Sequence, residues 1–122
     1  MEGAGMREQA LAEAVNSFLS VALPREAFYC HVPNEGKRSY AAAAHLLRQG
    51  MRAGVPDYLI VYGGRVSWIE LKSKRGSLSE AQKRVHRELR NAGCEVVVAR
   101  SIAEVALALE GWNIPCSARI AA

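Results

Sequence analysis

The stretch GVPDYLIVYGGRVSWIELKSKRGSLSEAQ, residues 54–82, decides the fold. Two apolar runs, Tyr58 to Tyr62 and Val66 to Leu71, flank Gly63 and Gly64. Gly-Gly between strand-like runs marks a two-residue hairpin turn. With the glycines at its centre, Tyr62 faces Arg65 and Val61 faces Val66, and counting outward sets Asp57 opposite Glu70. A three-residue loop would shift the pairing by one and separate the two carboxylates. Lys72 lies two residues beyond Glu70 and so projects from the same face.

Opposed carboxylates have Cβ atoms roughly 5 Å apart and repel each other, which a sheet avoids unless something positive sits between them. Hard oxygen donors suit Mg²⁺, with Mn²⁺ as a substitute, because such ions bind through one or two carboxylates plus waters and substrate phosphate oxygens. The chemistry this fits is phosphodiester hydrolysis, with Lys72 holding the attacking water and the developing negative charge. The competing reading makes Asp57 a strand start and leaves Glu70 and Lys72 on a solvated edge. Against it, Ile69 and Leu71 on one face and Val66 and Trp68 on the other imply a strand covered on both sides, where charge is costly without a partner.

The segments G-V-P-D at 54–57, I-E-L-K at 69–72 and S-E-A-Q at 79–82, in this order around a strand-turn-strand, resemble a VRR-NUC domain. That is the virus-type replication-repair branch of the PD-(D/E)XK nuclease superfamily. The resemblance runs from the first helix to the last strand and implies a restriction-endonuclease-like core. It implies that Asp57, Glu70 and the Leu71 carbonyl bind metal, that Lys72 orients the water, and that Gln82 and Glu8 support the site. It also implies a DNA substrate, duplex or branched, and a homodimer like the junction resolvases, with no small-molecule cofactor.

Two of these residues have rival explanations. Ser79 to Gln82 is a capping-box pattern, which would occupy the Gln82 side chain at the helix start. Glu8 continues the apolar stripe of Leu11, Val15 and Phe18 backwards, yet a first-turn acid also complements the helix dipole. Glu13, on the opposite side, is the alternative supporting acid. Pro33 to Gly36 reads as a turn, and the resemblance brings Asn34, Lys37 and Arg38 close to the site as phosphate contacts; a plain turn followed by solvated bases accounts for them equally.

The formal net charge is +4, and residues 70–90 alone carry seven Lys or Arg against three Glu, so the excess is local. A basic patch beside a phosphate-cleaving site is what polyanion binding requires, and Lys74, Arg75, Lys83 and Arg87 are its candidate contacts. Without the carboxylates the same run would read as a solvated helix face, flanked by Arg84 and His86. His45 has no ligand partner at metal spacing, and no histidine is assigned to catalysis. The loop carrying Arg52 is expected to face substrate.

The 122 residues suffice for one domain, 1–122, with a real core. A helix from Arg7 to Val21, a strand from Ala27 to Val32 and a helix from Ser39 to Arg48 precede the hairpin. After it come a helix to Asn91, a strand from Cys94 to Ala99, and a helix opened by a second capping box, Ser101 to Glu104, and closed by Gly111. The order predicts an α/β fold with a central mixed sheet flanked by helices. Cys30, Cys94 and Cys116 form no C-x-x-C and leave an odd thiol, which disfavours zinc and disulfides. No apolar run approaches the roughly 20 residues of a membrane span, and no signal segment opens the chain, so a cytoplasmic location is expected. The alternative functions are a non-cleaving, basic nucleic-acid-binding module of a larger assembly, and an interaction protein with no nucleic-acid role.

Overall fold

The computed structural model describes residues 4–33 and 39–117, so Asn34, Lys37 and Arg38 lie outside the described residues. The elements are α1 (Ala4–Ala22), β1 (Phe28–His31), α2 (Tyr40–Arg48), β2 (Tyr58–Tyr62), β3 (Arg65–Leu71), α3 (Glu80–Asn91), β4 (Glu95–Ala99) and α4 (Ile102–Gly111). The four strands form one sheet in the order β1-β2-β3-β4. The first two pairings are antiparallel and β3 pairs with β4 in parallel, which makes the sheet mixed. Helix α3 supplies the crossover that a parallel pair needs.

The hairpin has the expected register: Tyr62 pairs with Arg65, Val61 with Val66, and the ladder runs out to Tyr58 and Ile69. Gly63 and Gly64 have φ of 59° and 75°, the positive values a type I′ turn demands at both central positions. Asp57 and Glu70 are the next residues beyond that last pair on the two chain segments.

The two faces of the sheet are built differently. Tyr58, Ile60, Ile69, Leu71 and Ala99 face Val15 and Leu19 of α1 and Val105 and Leu109 of α4, and this apolar layer is the core. Ile114 and the half-buried Trp112 close it from the segment after α4. By strand alternation Asp57, Trp68, Glu70, Lys72 and Val96 belong to the other face, where α3 packs. Arg90 of α3 donates to the Val96 carbonyl at 2.9 Å, and Val85 and His86 are the buried residues of that helix.

Two tyrosines set the direction of α1 over the core face. The Tyr29 hydroxyl donates to Asn16 Oδ1 at 2.7 Å, and the Tyr58 hydroxyl to the Ala12 carbonyl at 3.1 Å. Moving along the sheet toward Asp57 therefore moves along α1 toward its N-terminus. Glu8 comes one helical turn before Ala12, at that end.

Serines begin three helices as the pattern predicts: Ser39, Ser79 and Ser101 accept from the backbone N–H three residues on. The second capping box is incomplete, because the Glu104 carboxylate accepts from Arg100 N–H at 2.7 Å instead of returning to Ser101. It thereby ties down the residue that links β4 to α4. None of the helices is long and apolar enough to cross a membrane among the described residues.

Candidate active site

The site begins where β2 leaves the sheet. Pro56 has no N–H to give, and past the Tyr58–Ile69 pair the ladder stops. The Asp57 carboxylate takes over: its Oδ2 accepts the Leu71 N–H at 2.7 Å. The Asp57 carbonyl accepts from Val32 N–H at 2.8 Å and lies 2.9 Å from His31 Nδ1, which locks the residue from its other side. The residue just past β3 turns the other way, since Lys72 N–H donates to the Ala99 carbonyl at 3.1 Å. A strand residue points its N–H and C=O to the same side. The Leu71 carbonyl thus faces the Asp57 side, as a ligand role for it would require.

Glu70 is 2% exposed, and burying a carboxylate is costly unless donors surround it. Helix α3 provides two. Gln82 Nε2 donates to Glu70 Oε2 at 3.2 Å, and His86 Nε2 lies 3.0 Å from Glu70 Oε1. The Gln82 side chain makes two contacts at once: its Oε1 accepts from Ser79 N–H at 2.9 Å, closing the capping box, while the amide nitrogen reaches Glu70. An amide has an acceptor at one end and a donor at the other, so one side chain serves both.

His86 corrects the sequence reading, which set it beside the outer basic stripe. It is 1% exposed and faces the sheet, one turn beyond Gln82 on the same side of α3. Burial holds its pKa below the usual imidazole value, and the positive charges of Arg90 and Lys72 lower it further, against a raising effect of Asp57. The signal in the sequence was the four-residue spacing from Gln82 to His86, which puts both on one helical face.

The helix bearing these donors is held close to Asp57 by the 50–56 loop. Gly54 has φ of 94°, and a Cβ there would sit 2.5 Å from the Ala81 carbonyl oxygen and 2.9 Å from Gln82 N. Only glycine lets the loop backbone approach the first turn of α3 this closely. Arg52 does not face outward for substrate alone: its guanidinium makes a two-pronged contact with Glu88, at 3.0 and 2.7 Å. That hydrogen bond holds the Glu88 carboxyl below its usual range.

Arg100, which the sequence reading passed over, organises the loop after Lys72. One of its guanidinium nitrogens donates to the Ser73 and Gly76 carbonyls at 2.7 and 2.6 Å. The exposed Lys74 and Arg75 ride on that pinned turn, while Lys72 itself is half-buried. Lys83 and Arg87 are exposed on the outer side of α3, Lys83 within 3.1 Å of Glu80. Glu8 is half-buried on α1, the helix of the opposite face, whereas Glu13 is exposed. A concavity of about 290 Å³, lined by Tyr62, Arg65, Ser67 and Trp112, lies at the hairpin turn and is the far end of the sheet from these acids.

The donor set indicates which cation would fit. No group of three or more His, Cys, Asp or Glu forms a ligand cluster among the described residues, so nothing resembles a closed zinc cage. Two opposed carboxylates and a backbone carbonyl match an ion that completes its shell with water and phosphate oxygens.

With this geometry in view, the chain can be set beside known proteins. The family model of the VRR-NUC domain matches residues 7–103. A solved structure described as a VRR_NUC domain protein superposes with a TM-score of 0.64 at 26% identity, covering 84% of each chain. A second, a VRR_NUC domain, gives a TM-score of 0.58 at 21% identity over 87% of this chain and 97% of its own, and bears on the fold alone. No curated protein matches. The mixed sheet with flanking helices is consistent with a restriction-endonuclease-like core, and the chain belongs to the VRR-NUC domain family of nucleases.

Proposed function

We propose that the protein is a divalent-metal-dependent DNA endonuclease that hydrolyses phosphodiester bonds. One observation carries the reading: just beyond the last β2-β3 pair, Tyr58 and Ile69, the Asp57 carboxylate accepts the Leu71 N–H at 2.7 Å, beside the buried Glu70 and one residue before Lys72. Asp57, Glu70 and the Leu71 carbonyl would hold Mg²⁺ or Mn²⁺. Such an ion supplies positive charge for a phosphoryl oxygen and lowers the pKa of water.

The chain's own groups do the rest. Lys72 donates hydrogen bonds to the attacking water and to the charge that develops on the phosphate. Gln82 keeps Glu70 in place, and Glu8 supports the water from the opposite helix. Lys74, Arg75, Lys83 and Arg87, with Asn34, Lys37 and Arg38 from the 34–38 segment, bind the phosphate backbone. Contacts of this kind position a duplex without reading its bases. A homodimer would present two sites to two strands, which suits branched DNA in replication, repair or recombination. Three free thiols accord with work in the reducing cytoplasm.

The test is cleavage of labelled duplex, single-stranded and four-way-junction DNA with Mg²⁺ or Mn²⁺, comparing wild type with Glu70→Ala and Lys72→Ala and adding EDTA as control. Metal-dependent cutting that both variants lose while DNA binding survives is the expected result. Binding of all three substrates with no cutting would make the protein a non-cleaving nucleic-acid-binding module instead.

A further inference from the structure

We propose that His86 is a positioning residue for Glu70: a neutral imidazole donor, fixed in α3, that orients the carboxylate for a divalent cation. The inference rests on the metal-site reading above and adds to it a residue outside the motif positions. His86 is buried to 1% exposure, and of its two ring nitrogens Nε2 meets Glu70 Oε1 at 3.0 Å while Nδ1 is buried without a hydrogen-bond partner.

That asymmetry bears on the tautomer. A carboxylate that binds a cation is ionised and only accepts, so in the metal-binding state Nε2 carries the hydrogen. An imidazolium would also bury an Nδ1–H donor with nothing to receive it, whereas the neutral ring leaves only a bare lone pair there. Neutrality is the useful property. Arg or Lys at this position would compete with a cation for Glu70, while a neutral N–H holds one oxygen in place without adding a positive charge of its own.

Gln82, one turn earlier, holds the other oxygen at 3.2 Å with an equally neutral donor. Two donors on two oxygens define the plane of the carboxylate, and a carboxylate offers about four acceptor positions, so coordination is compatible with both. Hydrogen-bond partners of metal-binding carboxylates and imidazoles orient them in this way, and their loss costs about 10–100-fold in metal affinity or activity.

The experiment is Mn²⁺ titration of the metal-free protein, followed by calorimetry and by the electron paramagnetic resonance signal of free Mn²⁺. Wild type is compared with His86→Phe, His86→Asn, His86→Gln and Glu70→Ala, with circular dichroism to confirm folding. The Phe variant keeps the ring without a donor, and Asn is too short to bring its amide where Nε2 lies. Gln places an amide nitrogen there. The expected result is an Mn²⁺ dissociation constant raised about 10–100-fold in Phe and Asn and largely restored in Gln. Equal affinity in wild type and in whichever of Phe and Asn folds overturns the inference, as does a Gln variant no better than these. Wild type that binds no Mn²⁺, or a Glu70→Ala protein that binds it unchanged, overturns the metal site itself and the role of His86 with it.

Discussion

Ile69 and Glu70 are neighbours in β3, 0% and 2% exposed, one turned toward α1 and α4 and the other toward α3. Burying an isoleucine side chain is favourable by about 1.5–3 kcal/mol. Burying a carboxylate costs several kcal/mol and is tolerated only where donors replace the water it loses. The same strand therefore packs apolar volume on one side and holds a carboxylate among polar partners on the other. The core face needs only apolar volume from α1 and α4. The other face needs Gln82 and His86 at a four-residue spacing, and a loop that brings their helix within reach.

The most severe break of this symmetry is Glu70→Ala. Cleavage is expected to fall by about 10³-fold or more, roughly 4 kcal/mol in the barrier, measured under single-turnover conditions at saturating metal. The Gln82 and His86 donors would lose their acceptor, which costs stability by about 1–3 kcal/mol. Ile69→Ala on the other side should reverse the pattern. It opens a cavity in the core and costs about 2–5 kcal/mol in urea unfolding, while cleavage per folded molecule stays close to wild type. A large activity loss in Ile69→Ala well below its melting temperature would show that the two faces are not separable.

Much of the fold could be read from the chain because each signal was local. Gly63-Gly64 fixed the hairpin register, serines marked three helix starts, and the apolar stripe of Leu11, Val15 and Phe18 marked α1. From that register counting brought Asp57 and Glu70 to the end of the ladder, one step past the Tyr58–Ile69 pair. What escaped was everything that depends on two elements meeting. His86 resembles any helical histidine until α3 is docked on β3, and only docking makes it the partner of a buried acid. The Arg52 loop was expected to face substrate and Arg100 drew no notice, because their partners, Glu88 and the Ser73 and Gly76 carbonyls, are distant in sequence. The competition foreseen for Gln82 vanished for a related reason: the choice was framed for one atom, and the amide has two ends.

Gly54→Ala sharpens the comparison at the point where the loop touches α3. The residue would have to keep a positive φ, at a cost of about 1–3 kcal/mol, and its Cβ would press on the Ala81 carbonyl at 2.5 Å. The backbone must yield, and the first turn of α3 carries Gln82. Activity should therefore fall more than stability does, with the half-saturating Mn²⁺ concentration rising. Helical content by circular dichroism should be retained. An equal loss of both in proportion to unfolded protein would mean that the contact is merely structural.

The weakest handle is the other clasp between the same loop and helix, the exposed Arg52–Glu88 pair, about half accessible on each side at 2.7 Å. Exposed ion pairs are screened by salt and contribute little, so Arg52→Gln should lower the melting temperature only slightly at neutral pH. The sign with pH follows from the Glu88 carboxyl, which Arg52 holds below its ordinary value of 4.5. A carboxyl depressed by folding stabilises fully above its unfolded value and loses that contribution as pH falls through the folded one. The gap between wild type and Arg52→Gln should accordingly be constant above pH 4.5, narrow below it, and shrink with added salt. Cleavage should change much less than in Gly54→Ala. If it instead falls as far, the spacing between Asp57 and the donors of α3 is set by the charge pair, and the close glycine contact only follows it.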